Sequence, residues 1–412
     1  MMFGISEPPA HPAPRLPRDE PGNILTPTGI EGNSGKQFFF EKKNQKTFDP
    51  SGARRIHRAR QQAKVFASFS KKKRLLWVGI STVLIVPCDR RLVTRPRMEA
   101  VLPLKIRPDG RAMNLGGAVM LCHSLAYFWR DVPNLALTVI CPPDDLAAAR
   151  DALGNTPGNI DIRFVDETEL VPGVDENPAF PGWLRQQVLK LAVYDIVRSD
   201  FYLCLDADVL CINPIDAALL LPGGKALTEY GTRKRHGDWW RHSAALLKVD
   251  PHLDRPGMRV TPAVLSRHIV EGLHQALPHD GDTPSWQCLM QAPGGPADCW
   301  TEYTLYQLFA EQADLMKDFH ISFAESRALD RPLISGRSIW SRQDAERFDP
   351  TRLFDARDRA LFAVLQSSAH PPLGEIWAGL RARHGVAGPS VLRSFDQGGD
   401  GGDGLHGSGP GD

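Results

Sequence analysis

The stretch SDFYLCLDADVLCINP, Ser199 to Pro214, ends an apolar run in two carboxylates one residue apart, Asp206 and Asp208. An apolar run of this length bounded by polar residues predicts a buried strand, with Leu203 and Leu205 in the core. In an extended segment the side chains at i and i+2 point the same way, so the two aspartates would converge on one cation. The competing reading is an acidic turn that follows a strand, a common arrangement for aspartate.

The residues upstream favour the first reading. VLPLKI from Val101 predicts a strand, Gly116 to Trp129 a helix, LALTVIC at Leu135 to Cys141 a strand, and DDLAAARDAL a second helix. IDIRFVD, Ile160 to Asp166, predicts a third strand. WLRQQVLKLAVYDIV, Trp183 to Val197, predicts an amphipathic helix leading into the DxD strand. Strands separated by helices imply parallel pairing through right-handed crossovers, hence a Rossmann-type α/β sheet. The DxD pair then falls at the carboxyl end of a strand, where ligands of open α/β sheets bind. Two aspartates without His or Cys suit a hard cation, Mg²⁺ or Mn²⁺, that bridges a diphosphate.

Composition places this core within the chain. Of 412 residues 42% are hydrophobic, enough for a sizeable core, and the net charge of +1 conceals an asymmetry. Residues 1–97 carry 19 Lys/Arg against 7 Asp/Glu, so the rest of the chain is acidic. This leader lacks sustained periodicity and predicts disorder. Its apolar segment LLWVGISTVLIVP, Leu75 to Pro87, is shorter than the ~18 residues that span a bilayer. The leader is a candidate for membrane-surface contact, and Met98 is a candidate alternative start. Residues 98–385 form the predicted folded domain, and 386–412 a Gly/Asp-rich tail expected to be disordered. Seven cysteines without a CxxC pair argue against a disulfide framework or structural zinc and point to a reducing, cytoplasmic setting, peripheral to the inner membrane face at most. The acidic folded part argues against a nucleic-acid partner.

Taken together, PGWLRQQVLKLAV, LDADVLCINP, GMRVTPAVLSRHIVEGL, WTEYTLYQLFA and LFAVLQSSAH resemble, in that order, the segments of a bacterial GT-A-like group classed as domain of unknown function 6492. The likeness covers roughly residues 101–375 and implies a GT-A-like fold, a mixed and mainly parallel sheet flanked by helices. It also implies a metal-dependent glycosyltransferase that moves a sugar from a nucleotide-sugar donor to a glycan, a small-molecule acceptor or a polysaccharide precursor. On that basis Asp208 would hold Mn²⁺ or Mg²⁺ directly, and Asp206 would contact the metal or the donor ribose. Gln186, Gln187 and Lys190, on the helix before the DxD strand, are candidate donor-binding residues; a solvated helix face is the other reading of Lys190. Glu302, after Thr301 as a helix cap, is the candidate catalytic base, with a plain helix-end role as its alternative.

Several neighbours carry weaker expectations. Tyr303 and Tyr306 suit either acceptor stacking or core packing, and His320 and His370 are candidates for a third metal ligand. The basic run Arg233 to His242 suits an anionic group, or else a loop whose Trp239 and Trp240 pack on the core. KALTEY predicts a strand that ends in Glu229 and Tyr230, and Thr261 and Pro262 predict a helix start, with the Thr261 hydroxyl available to an acceptor. Two other functional classes compete. In a haloacid-dehalogenase-type phosphohydrolase Thr or Val would stand where this chain has Leu210, and HDGD at 279–282 is a poor substitute for that class's later acidic motif. A non-catalytic sugar or nucleotide-binding module would need no positioned base.

Overall fold

The computed structural model describes residues 98–385, apart from 107–110, 157, 177–179, 181, 279–285 and 292–299. All of them belong to the second of two units into which the chain divides, Arg91–Asp412. The leader with its apolar segment, the Gly/Asp tail and HDGD at 279–282 lie outside the described residues. Among the described residues no helix is long and apolar enough to cross a membrane.

The alternation expected upstream of the DxD pair is present. Strands β1 (Met98–Pro103), β2 (Leu135–Cys141), β3 (Ile160–Asp166) and β4 (Phe201–Cys204) alternate with helices α1 (Arg111–Phe128), α2 (Leu146–Leu153) and α3 (Gly182–Ala192). Three short strands follow, β5 (Val209–Cys211), β6 (Tyr230–Thr232) and β7 (Pro256–Met258), with α4 (Gly237–Leu247) between β6 and β7, and then β8 (Ala263–Ser266). The main sheet runs β3-β2-β1-β4-β8; the first four strands are parallel, and β8 lies antiparallel against β4. The class is therefore α/β with a mainly parallel sheet flanked by helices.

Strand periodicity of two sorts the core into two layers. Ala100, Leu102, Leu203 and Leu205 pack with α1 and α2 on one face. Val101, Tyr202 and Cys204 pack on the other with α3, α5 (Arg267–Ala276) and α6 (Glu302–Gln312). Both faces of β4 are buried, which is why its sequence reads as a continuous apolar run rather than an alternation.

Four local expectations change. The DxD pair is not extended: β4 ends at Cys204, and a turn closes from the Asp206 carbonyl to the Val209 amide at 3.1 Å. KALTEY does not form a regular strand; Ala226 makes a single bridge, to His320, and β6 begins only at Tyr230 and pairs with β7, not with the DxD strand. Thr261 and Pro262 do not begin a helix; they precede β8, and α5 starts at Arg267, because the apolar residues after Pro262 are used as a sheet edge. The first strand begins at Met98 rather than Val101 and stops at Pro103.

Candidate active site

Beyond the DxD turn the chain enters β5, which pairs antiparallel with β9 (Phe362–Val364) beneath α1. This second small sheet fixes the turn from the far side. The Leu365 amide donates to the Asp208 carbonyl at 2.7 Å, and the Ser367 amide donates to Asp208 Oδ2 at 3.3 Å. On the near side the Leu205 amide donates to the Val101 carbonyl at 2.9 Å, so the main sheet holds the other end. A glycine in α1 completes the cradle. A methyl group on Gly117 would lie 2.3 Å from the Ala207 carbonyl oxygen, so only glycine lets the helix approach the turn this closely.

The turn opens into a cleft of about 890 Å³, at the carboxyl ends of the parallel strands. All six residues singled out from the sequence, Asp206, Asp208, Gln186, Gln187, Lys190 and Glu302, line it. Lys190 is the hub. Its Nζ is 2.8 Å from Asp206 Oδ1 and 3.1 Å from Glu302 Oε1, and it donates to Thr261 Oγ1 at 2.9 Å. Lys190 is 3% exposed, which removes the solvated-face reading. Thr261 also meets the Tyr303 hydroxyl at 2.8 Å, and the Tyr303 ring lies 5.6 Å from the lysine nitrogen. The Thr261 hydroxyl is thus committed to the ammonium and the phenol, and Tyr303 supports Lys190 instead of stacking on an acceptor.

Glu302 occupies the first turn of α6, where amides lack intrahelical partners. Thr301 is the N-cap, as the sequence suggested, and it forms a reciprocal capping box with Thr304. The Glu302 amide donates to Gln187 Oε1 at 3.0 Å, so the carbonyl end of Gln187 serves as a helix cap from a neighbouring helix. Gln186 remains half-buried on the cleft wall. Tyr202, inside the sheet, donates from its hydroxyl to the Lys190 carbonyl at 2.9 Å and so ties β4 to α3.

Electrostatics follow from this geometry. Burial works against the charge on Lys190, but Asp206, Tyr303 and Glu302 hold its pKa well above the ordinary lysine range. Burial raises the Glu302 carboxyl, and Lys190 pulls it back. Asp208 is pushed up from 3.8 to about 7, by burial first and by the charge of Asp206 second, with the Ser367 amide opposing. Two half-buried carboxylates thus share one turn, and the charge of Asp208 is the less compensated of the two. Among the described residues no third His, Cys, Asp or Glu joins them as a metal group. That donor set still fits a hard divalent cation, which is satisfied by one or two carboxylates and completes its shell with water and phosphate oxygens.

Both histidines considered as a third ligand fall away. His320 is 2% exposed, and its two ring nitrogens are taken, Nδ1 by Thr228 Oγ1 and Nε2 by the Tyr306 hydroxyl, each at 2.7 Å. His370 is exposed and does not line the cleft. Tyr306 is fully buried core. The basic run divides: Arg233 is buried, paired with Glu311 and lying 4.1 Å from the Trp240 ring, whereas Arg235, His236 and Trp239 line the cleft. Tyr230 also lines it, but Glu229 does not. Sequence reasoning missed Gly117, Trp183, Arg259 and Ser367. Only the paired glycines Gly116 and Gly117, in the second turn of α1, gave a signal, and they mark close backbone approach.

The structure is similar to that of mouse xyloside xylosyltransferase 1 in its apo form, with 15% identity, 65% of this chain and 97% of that chain covered, and a TM-score of 0.36. That likeness is loose. The search of curated proteins gives no match. Residues 95–385 match the family of unknown function DUF6492, and the chain belongs to that family.

Proposed function

We propose that the chain is a metal-dependent glycosyltransferase that moves a sugar from a nucleotide-sugar donor to a glycan or cell-surface polysaccharide precursor. The observation that carries this reading is the convergence, in one cleft, of the DxD turn with a buried Lys190–Glu302 pair reached from two other helices. A cleft of about 890 Å³ has room for a donor and an acceptor together. A recognition module has no use for a buried carboxylate held beside the ligand by its own lysine.

Asp206 and Asp208 would hold the divalent cation, which when bound neutralises a departing diphosphate. The other steps belong to the chain. The β9 end fixes Asp208 through the Leu365 and Ser367 amides, so the turn is set before any ligand arrives. Lys190, anchored by Thr261, holds Asp206 and Glu302 at a fixed separation. Glu302 accepts the proton of the acceptor hydroxyl as the new glycosidic bond forms. Burial raises its pKa and so brings it closer to the working range of a general base. The same burial keeps water from competing with the acceptor.

The test is donor hydrolysis and transfer with Mn²⁺, comparing Asp208→Ala and Glu302→Gln with the wild type. Asp208→Ala should lose donor affinity and turnover together, and Glu302→Gln should lose turnover while retaining the donor. Unchanged turnover in both variants, with the donor still bound, would overturn the assignment.

A further inference from the structure

The donor and metal chemistry leaves one wall of the cleft unused. Trp183 opens α3 seven residues before Lys190, about 10 Å along the helix axis from the carboxylate cluster. Its ring meets Trp239 at 5.6 Å between centroids with a 39° tilt, and His236 stacks on Trp239 at 4.2 Å and 6°. All three rings line the cleft; the adjacent Trp240 borders it too, but it is 3% exposed and packs against Ala244 and Leu308. Core packing therefore explains Trp240 but not its neighbour.

Two guanidinium groups line the same cleft. Arg259 lies 5.8 Å from the Trp340 ring, and Glu229, 3.6 Å away, offsets part of its charge. Arg235 is exposed and makes no ion pair with a described residue. The cleft is thus polar in the electrostatic sense, with carboxylates at the DxD turn and cations beside the ring wall. The apolar CH face of a pyranose packs on aromatic rings, which bury large area at small entropic cost. A guanidinium holds a carboxylate or phosphate through paired charge-assisted hydrogen bonds. An anion on the sugar would be drawn to Arg235, which orients the molecule as well as binding it.

We propose that the wall formed by Trp183, His236 and Trp239, with Arg235 and Arg259, is the acceptor subsite and takes a pyranose that bears an anionic group. This rests on the glycosyltransferase reading above. The distance from Trp183 to Lys190 leaves room for a disaccharide whose far ring stacks on the wall and whose near hydroxyl faces Glu302.

Isothermal titration of the full chain, with and without uridine diphosphate and Mn²⁺, tests it with four probes: cellobiouronic acid, glucose 6-phosphate, neutral cellobiose and uridine diphosphate itself. The anionic sugars should bind at least tenfold more tightly than cellobiose, and the tighter of the two identifies the anion as carboxylate or phosphate. Trp183→Ala and Arg235→Gln should each weaken the anionic sugars at least tenfold and leave uridine diphosphate within twofold, while Trp183→Phe keeps most of the affinity. Circular dichroism confirms that each variant is folded. Cellobiose binding as tightly as the acids, or no sugar binding at all, overturns the inference. Equal loss of uridine diphosphate in Trp183→Ala also overturns it and makes the wall a nucleobase platform. If donor turnover is absent while sugar binding still depends on Trp183 and Arg235, the glycosyltransferase reading falls and the ligand class stands.

Discussion

Gly117 in α1 and Ala207 in the DxD turn approach so closely that a single methyl group on the glycine would sit 2.3 Å from the alanine carbonyl oxygen and 3.2 Å from its carbon. The atoms it would strike are backbone, so no side-chain rotation relieves the clash, and either the helix or the turn must move. Gly117→Ala should cost about 1–3 kcal/mol of stability, the usual range for overpacking. Turnover should fall further than stability, because the displaced segment carries Asp206 and Asp208. Gly336→Ala is the control, since a methyl there meets nothing within 4 Å. Urea denaturation and initial rates on both variants check the expectation; a Gly117→Ala protein with wild-type midpoint and rate would refute it.

Lys190 sits where removal of one charge strands another. Its side chain and that of Glu302 are 4% and 3% exposed, so neither charge is screened by water. Lys190→Met should destabilise the fold by about 3–5 kcal/mol, the range for breaking a buried pair by deleting one partner. Adding Glu302→Gln should recover part of that loss, because the stranded carboxylate goes with it. A double-mutant cycle in urea measures the coupling. Additive losses would mean that the two groups act independently and that the lysine is not the hub.

The sheet was legible in the sequence because β1, β2 and β4 are buried almost throughout and read as apolar runs, β3 alternates as a half-exposed edge strand does, and the helices obey the 3.6-residue period. LALTVIC and IDIRFVD match β2 and β3 residue for residue. The site was legible where carboxylates or a lysine stand close to the strand end in sequence, as with Asp206, Asp208 and Lys190. Its other half was hidden because long-range contacts leave no local period. Nothing near Thr261 announces a bond to a lysine 71 residues away, nor near Ser367 one to an aspartate 159 residues away. The misplaced helix start at Thr261 has a related cause: a short apolar run after proline suits an edge strand as well as a first helical turn, and the β4 edge decided between them.

His320 provides a pH signature for the fold. The Ser266 amide donates to the Tyr306 hydroxyl, and Thr228 donates to the Ala226 carbonyl, so a consistent network has Tyr306 donating to Nε2 and Nδ1 donating to Thr228. That network requires a neutral ring. Protonation would set two donors face to face at Nε2, and burial already lowers the pKa from 6.5 to about 3. The depressed value gives the sign: the neutral native ring contributes stability that is fully present above pH 6.5 and is lost as pH falls toward 3. The loss should reach a few kcal/mol, on the order expected for a shift of that size. His320→Gln should be less stable at neutral pH and show a shallower acid slope. Urea midpoints measured from pH 8 to pH 4 read both, and parallel curves for variant and wild type would rule the network out as the source.

Asp208 should produce the opposite slope, and a divalent cation should reverse it. Its carboxyl rises from 3.8 to about 7 because it is buried beside Asp206, so the native state binds a proton that the unfolded chain has released. Without a metal, stability should therefore fall as pH rises from about 4 through about 7, by up to ~1.4 kcal/mol per pH unit for this one proton. A cation that needs the ionised carboxylate competes with that proton and binds only the folded turn. Mn²⁺ should therefore raise the melting temperature more at pH 8 than at pH 5. Asp208→Asn removes the titrating group but keeps the shape. It should flatten the slope attributed to Asp208 in EDTA and abolish most of the Mn²⁺ shift at pH 8. Thermal melts of both proteins across that range, with EDTA and with Mn²⁺, decide the matter. A Mn²⁺ shift that is the same at both pH values, or that survives the asparagine, would place the cation away from the DxD turn.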